Sequence, residues 1–413
     1  MNDSIYQIGG CEVCGNRSLV PALDLGKHPL CDDLVPIDDL RVCEEYPVEV
    51  LFCEVCLTAH QRFQIPKQKL FAPSYHYRAR LTADVLNGMR QLVEACEDVI
   101  GDLRGKKVLD VGCNDGSLLS IFREKGAAAF GIEPTDAAAD AVQEGHLVLK
   151  EFLTPETSAF FIDKYGNPDI ITFTNVFAHI ENLPEAIQSL KILSAKHTVI
   201  VIENHYLGSV LRRLQFDTFY HEHPRTYSYR SFTYIADALG MTIKKVEFPQ
   251  RYGGNIRVFL YPSEERASHD RFDELKDIES SFGADFLRLS RQIEEWRVQK
   301  RAVIDAEVSL RGPLPAKAFP ARGAITIKLL GLDAAQISAV YEKPTSSKVG
   351  HYVPGTRIPI LSDEAFSLEA IADKPLINLA WHIPDEIRSY MRGRGYKGAI
   401  IDIISADNFS ATP

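Results

Sequence analysis

Lys107-Val-Leu-Asp-Val-Gly112-Cys-Asn-Asp-Gly116-Ser117 is the stretch on which the fold turns. It reads as a short apolar strand over Lys107–Val111, a glycine turn, and a helix running from Ser117 to Lys125. Gly112 lets the backbone pass close to a ligand, and Gly116 allows tight packing at the helix entrance. The run lacks the G-x-G-x-x-G fingerprint and any P-loop lysine, which argues against a nucleotide-phosphate cradle. The next strand, Ala128–Ile132, leads into Glu133-Pro134. A carboxylate at that place accepts both ribose hydroxyls in doubly wound nucleoside sites. Working outward, Leu81 to Leu103 reads as a helix, while Ile170–Thr174 and the β-branched run Thr198–Ile202 read as buried parallel strands. Met241–Phe248 and Asn255–Tyr261, split by Arg251-Tyr-Gly-Gly254, read as an antiparallel hairpin. Alternating strands and helices predict an α/β fold built on an open, doubly wound sheet.

The rest of the 413-residue chain extends beyond that sheet, and its length favours two or three folded units. With 45% hydrophobic and 25% charged residues it has the composition of a globular protein with real cores. A formal net charge of −10 argues against a dedicated nucleic-acid binder. Residues 1–10 show no signal-peptide pattern, and no apolar run approaches the roughly 18–20 residues of a membrane span. A cytoplasmic monomer is the expectation. Composition divides the chain at 1–78 (paired cysteines and prolines), 79–262 (the sheet), 263–312 (a long amphipathic helix through Phe282, Phe286, Leu289, Ile293 and Trp296) and 313–413. In the last block Ala324–Leu329, Ile337–Tyr341 and Gly398–Ile404 read as strands of a second, smaller α/β domain.

Eight cysteines are too few for a disulfide scaffold, but four fall in two C-x-x-C pairs, Cys11/Cys14 and Cys53/Cys56. Each pair turns two thiolates toward one metal, and two such turns complete a tetrahedral zinc shell. With four thiolates no coordination position is open, so the predicted zinc is structural. Cys31, Cys43, Cys96 and Cys113 read as packed thiols, and His28 and His60 as weaker ligand substitutes.

The glycine loop fits the first motif of class I methyltransferases, in which it wraps the methionine part of S-adenosylmethionine. Gly112, Gly116 and Glu133 are its main elements here. Asp110 and Asn114 are secondary candidates for the aminoacyl end, Phe152 for the adenine face, and Asn175 for the edge of the fourth strand. Phe152 reads equally as core packing. Polar chemistry concentrates after strands four and five, in Thr174-Asn175-Val-Phe-Ala-His179 and Phe219-Tyr220-His221-Glu222-His223. The second run lacks the H-E-x-x-H spacing of a zinc protease. Imidazole suits base chemistry near neutral pH, its ordinary pKa being about 6.5.

Together these segments resemble the sugar C-methyltransferases that act at C-3′ of nucleotide-linked 4-keto deoxysugars. The resemblance spans the chain. It is carried by both C-x-x-C pairs, Val108–Gly116, Asn175-Val-Phe-Ala-His179-Ile, Tyr220-His-Glu-His223, Tyr352-Val-Pro-Gly-Thr-Arg-Ile-Pro359 and Leu379-Ala-Trp-His382. It implies an N-terminal zinc-binding domain, a central class I methyltransferase domain and a C-terminal Rossmann-like domain. It implies His223 as base, with Tyr220, Glu222 and His179 lining the reaction site and Tyr75 or Tyr77 reaching toward the sugar. Two segments depart from the family's pattern, Tyr75-His-Tyr-Arg-Ala-Arg80 and Ala318-Phe-Pro-Ala-Arg-Gly-Ala324. Arg78 and Arg80 are then either solvated charges or ligands for a phosphate or carboxylate. A methyltransferase of oxygen or nitrogen is the competing enzyme reading. A non-catalytic scaffold would carry a degraded cofactor loop, which this chain does not.

Overall fold

Seven strands form the central sheet: β1 (Lys107–Val111), β2 (Ala128–Ile132), β3 (Leu147–Leu149), β4 (Ile170–Thr174), β5 (Val199–His205), β6 (Met241–Glu247) and β7 (Asn255–Pro262). This computed structural model describes residues 5–71, 77–81, 83–262, 273–366 and 374–405. The sheet order is β6-β7-β5-β4-β1-β2-β3. Strands β1 to β5 run parallel, whereas β7 is antiparallel to both β5 and β6. Val108, Leu109, Ile170, Ile171, Phe173, Ile200, Val201 and Ile202 are all fully buried. Such unbroken apolar runs belong to a sheet covered on both faces. On one face helices Ala83–Ile100 and Ser117–Glu124 pack Leu92, Val93, Cys96, Leu118 and Phe122 into the core. Strand order reverses between β1 and β4, and open α/β sheets place ligands at the carboxyl ends flanking that reversal.

Contacts divide the chain into two compact units. The first comprises Met1–Ala22, Val50–Arg212 and Glu222–Gly283; the second comprises Leu23–Glu49, Arg213–His221 and Ala284–Pro413. Both cysteine pairs and the central sheet therefore lie in the first unit. The second contains a five-stranded parallel sheet ordered Ile360–Ser362, Ile337–Glu342, Leu314–Lys317, Leu376–Asn378, Ile400–Asp402. Trp296, on the long helix Phe282–Arg311, is fully buried there and donates its indole N–H to the Ile403 carbonyl at 2.9 Å.

One expected strand is corrected. Ala324–Leu329 lies within a helix, Gly323–Leu329, and the strand before it is Leu314–Lys317. The run Ala-Ile-Thr-Ile-Lys-Leu has strong β propensity, but five of its helix's seven residues are buried. Packing overrides local preference. Pro315 sits inside the true strand and masks it in the sequence. The amphipathic region divides into helices Asp273–Glu279 and Phe282–Arg311.

Candidate active site

The four paired sulfurs converge. The Sγ atoms of Cys11, Cys14, Cys53 and Cys56 all lie within 4.8 Å of one another. The Cys11–Cys56 separation is 3.3 Å and the Cys14–Cys53 separation 3.6 Å. Zinc–sulfur bonds of about 2.3 Å in a tetrahedron give edges of about 3.8 Å, so the cluster has the size of a zinc shell. The two turns repeat one geometry. Gly15 N–H donates to the Cys11 carbonyl at 2.9 Å and Leu57 N–H to the Cys53 carbonyl at 2.8 Å. Both residues are left-handed, with φ of 77° and 57°. Neither weaker ligand candidate joins this cluster: His60 lies outside the four-sulfur group, and His28 belongs to the second unit, bonded to the Leu25 carbonyl.

At the end of β1 two glycines permit close packing of the chain. Gly112 has φ +71°, and a Cβ there would come within 2.5 Å of Val176 Cγ2. A Cβ on Gly116 would meet Ala141 Cβ at 2.8 Å, so this glycine permits the close helix entry. Asn114 is left-handed (φ 50°) and donates its N–H to Glu133 Oε2 at 2.9 Å. Glu133 Oε1 accepts the N–H and hydroxyl of Thr135 at 2.9 and 2.6 Å. A carboxylate has about four acceptor sites, so this buried anion retains capacity for a hydroxyl donor. Burial, with Glu133 nearby, pushes the Asp110 carboxyl up to about 7 despite the hydrogen bond it accepts from Thr172 Oγ1 at 2.7 Å. Asp110 thus braces β1 against β4 from inside the sheet. Phe152 is half-buried, with Lys67 Nζ 4.8 Å from its ring centroid.

Asn175, just past β4, is also left-handed (φ 55°). Its N–H donates to the Glu203 carbonyl at 2.7 Å, and its Oδ1 accepts from Asn255 Nδ2 at 3.1 Å. Glu203 has no exposed surface. Its carboxylate accepts Arg251 Nε at 2.5 Å, Arg257 Nε at 2.7 Å and Asn255 Nδ2 at 2.9 Å. Two guanidinium groups outweigh desolvation and hold Glu203 below the usual carboxylate range.

Three imidazoles meet beside this network. The ring of His223 is 4.8 Å from that of His179 and 5.4 Å from that of His205, centroid to centroid. His223 is 5% exposed. His179 Nδ1 lies 2.7 Å from the Glu222 carbonyl, which can only accept, so Nδ1 carries the proton. Burial lowers His179 to about 4 despite hydrogen bonding to the Glu222 and Asn175 backbones, which keeps it neutral at physiological pH. His205 is the member that the sequence reading does not single out. Its signal is position: it ends β5, at the carboxyl edge where such sheets carry chemistry.

The zinc block reaches this cluster through the backbone. Arg225–Thr226, two residues after His223, pairs antiparallel with Thr58–Gln61. Gln61 N–H donates to the Pro224 carbonyl at 2.8 Å, and Ser228 Oγ to the Cys56 carbonyl at 3.1 Å. Buried Arg225 pairs with Glu12, between the first two cysteines, and donates to the Glu181 carbonyl at 3.1 Å.

Tyr220 and His221 belong to the second unit, where His221 Nε2 donates to the Tyr46 carbonyl at 3.1 Å. Tyr75 lies outside the described residues, and Tyr77 is exposed. Arg78 and Arg80 both pair with Asp140. In the departing segment of the second unit, Arg322 is buried beside Asp217, 3.4 Å away, and stacks on Trp381.

Three family models match consecutive stretches of the chain: a zinc binding domain over residues 11–71, a methyltransferase domain over 77–246, and a C-methyltransferase C-terminal domain over 250–402. C-methyltransferase NovU of Streptomyces niveus is 28% identical over 396 residues, covering 94% of this chain and 93% of that protein. A ubiquinone biosynthesis O-methyltransferase of Actinobacillus pleuropneumoniae serotype 7 (strain AP76) is 32% identical over 120 residues, 26% of this chain and 49% of that one. Among solved structures, magnesium protoporphyrin IX methyltransferase from Synechocystis PCC 6803 with bound SAH shares 18% identity at a TM-score of 0.35, over 45% of this chain and 85% of that one.

Proposed function

Three methyltransferase family models follow one another along the chain and a C-methyltransferase aligns over 94% of it; from this we propose that it is a sugar C-methyltransferase acting at C-3′ of a nucleotide-linked 4-keto deoxysugar, with dTDP the first nucleotide to test and GDP the next. It is an S-adenosylmethionine-dependent C-methyltransferase, and S-adenosylmethionine and zinc are its cofactors. When bound, S-adenosylmethionine supplies an electrophilic sulfonium methyl group. The observation that carries the finer reading is the buried imidazole cluster at the carboxyl edge of the sheet that bears the Gly112 loop.

In this reading Gly112, Gly116, Asn114, Glu133, Asp110, Asn175 and Phe152 hold the cofactor, and Cys11, Cys14, Cys53 and Cys56 hold zinc. His223 removes the proton from C-3, which the neighbouring C-4 ketone acidifies by stabilising the enolate. The enolate oxygen needs a donor. Tyr220, three residues before His223, or His179 is that donor. Through its backbone carbonyl Glu222 fixes the His179 ring. Tyr75 or Tyr77 reaches toward the sugar in the same proposal. The divisions 1–78, 79–262, 263–312 and 313–413, a monomeric state and a cytosolic setting without nucleic-acid or membrane partners belong to the same proposal. Among the described residues no helix is long and apolar enough to cross a membrane.

Calorimetric titration of the protein loaded with S-adenosylhomocysteine tests the substrate class. Selective binding of dTDP over GDP, UDP and CDP is expected. No binding by any of the four would remove the nucleotide-linked sugar and leave a different carbon acid to be found.

A further inference from the structure

Arg78 and Arg80 fall in a segment that departs from the family's pattern, and both turn to one carboxylate oxygen. Asp140 Oδ2 accepts Arg78 Nε at 2.7 Å and Arg80 NH1 at 3.1 Å. The backbone they carry is bonded to the cofactor loop. Ala79 N–H donates to Asn114 Oδ1 at 3.0 Å, Asn114 Nδ2 to the Tyr77 carbonyl at 3.1 Å, and Arg80 N–H to Asp115 Oδ2 at 2.9 Å. Asp140 stands on the short helix Ala137–Gln143, next to Ala141, whose Cβ abuts Gly116. Residues 77–80 are therefore tied twice: to the loop by hydrogen bonds, and to the element behind the loop by two ion pairs. The hydrogen bonds fix the segment's register, and the ion pairs resist its lifting away.

We propose that Asp140 is a positioning residue for the cofactor: by clamping Arg78 and Arg80 it keeps residues 77–80 closed on the Gly112–Gly116 loop and sets the rate at which spent cofactor leaves. The proposal rests on the assignment of that loop to the cofactor. A phosphate or carboxylate ligand on these two arginines would have to displace Asp140 first.

The probe is S-adenosylhomocysteine, and the readout is its dissociation rate from the full-length zinc protein. Two partly exposed ion pairs each contribute modestly, so Asp140→Asn is expected to speed dissociation about fivefold with little change in association. Asp140→Glu should recover part of the loss. Salt screens such pairs, so added salt should accelerate release from the parent protein and have little effect on Asp140→Asn. A fold defect alone would not remove that salt dependence. An unchanged dissociation rate in Asp140→Asn, or a salt response equal to the parent's, overturns the clamp. Gly112→Ala separates the two layers: if it binds S-adenosylhomocysteine normally, the loop assignment itself fails. If Gly112→Ala loses binding while Asp140→Asn is silent, only the clamp fails.

Discussion

His223 carries the chemical proposal. It is buried between two other imidazoles, and no substitution that retains bulk and polarity should disturb the cofactor loop. His223→Asn should lower turnover by at least about a hundredfold, the low end of general-base contributions, while S-adenosylhomocysteine affinity stays within about twofold. Steady-state rates beside an equilibrium titration check this, and substantial retained turnover would move the base to a neighbour. At this scale the sequence exposes residues whose type and spacing are both unusual: the paired cysteines, Gly112, Glu133 and the Tyr220–His223 run. It conceals residues defined by a partner far along the chain. His205 offers only its position at the end of β5 until it is seen beside His223, and Asp140 is notable only beside Arg78 and Arg80, 62 and 60 residues earlier.

Among the elements, strands β5 and β7 are joined by charges as well as by their ladder. Glu203 neutralises Arg251 and Arg257 in a site with almost no solvent access. Glu203→Gln leaves buried Arg251 without its anion and Arg257 with Glu247 alone, and should cost about 3 kcal/mol, read from urea unfolding. A change below about 1 kcal/mol would show that Arg251 finds another partner. The zinc turns make a different demand. Because the strand after Cys56 pairs with the segment after His223, metal removal should displace the base before it unfolds the sheet. Chelation is expected to lower turnover roughly a hundredfold, the usual cost of about 1 Å of misplacement, with S-adenosylhomocysteine affinity nearly intact. Equal losses in both would make zinc a support of the whole unit. Element type is legible where periodicity and burial agree, as in β1, β2, β4 and the closing hairpin. It fails at Gly323–Leu329, where β-branched residues lie in a buried helix, and at Leu314–Lys317, where a proline hides a strand. Local preference there opposes packing, and packing decides.

For the molecule as a whole, two histidines buried neutral tie stability to acidity. His179 and His221 are each lowered to about 4 by burial. The unfolded chain takes up protons near pH 6.5, so it binds more protons than the folded state between 6.5 and 4. Stability therefore falls as pH drops through that window and is unaffected by these groups above it. Each contributes up to roughly 3 kcal/mol at full titration. His221→Gln, which keeps a donor for the Tyr46 carbonyl, should flatten the decline measured by unfolding at pH 7.5 and 5. An unchanged slope would assign acid lability to other groups. The division into two units was not legible along the chain, because Leu23–Glu49 and Arg213–His221 leave the first unit and return to it. No local pattern marks such an excursion.

The central claim is that the methyl group is delivered to carbon. Its most direct test is turnover with S-adenosylmethionine carrying a 13C-labelled methyl group and a dTDP-linked 4-keto deoxysugar, followed by carbon NMR of the product. A labelled methyl bonded to the carbon next to the ketone, absent from the His223→Asn reaction, is the predicted result. A label in the methoxy or N-methyl region would contradict it.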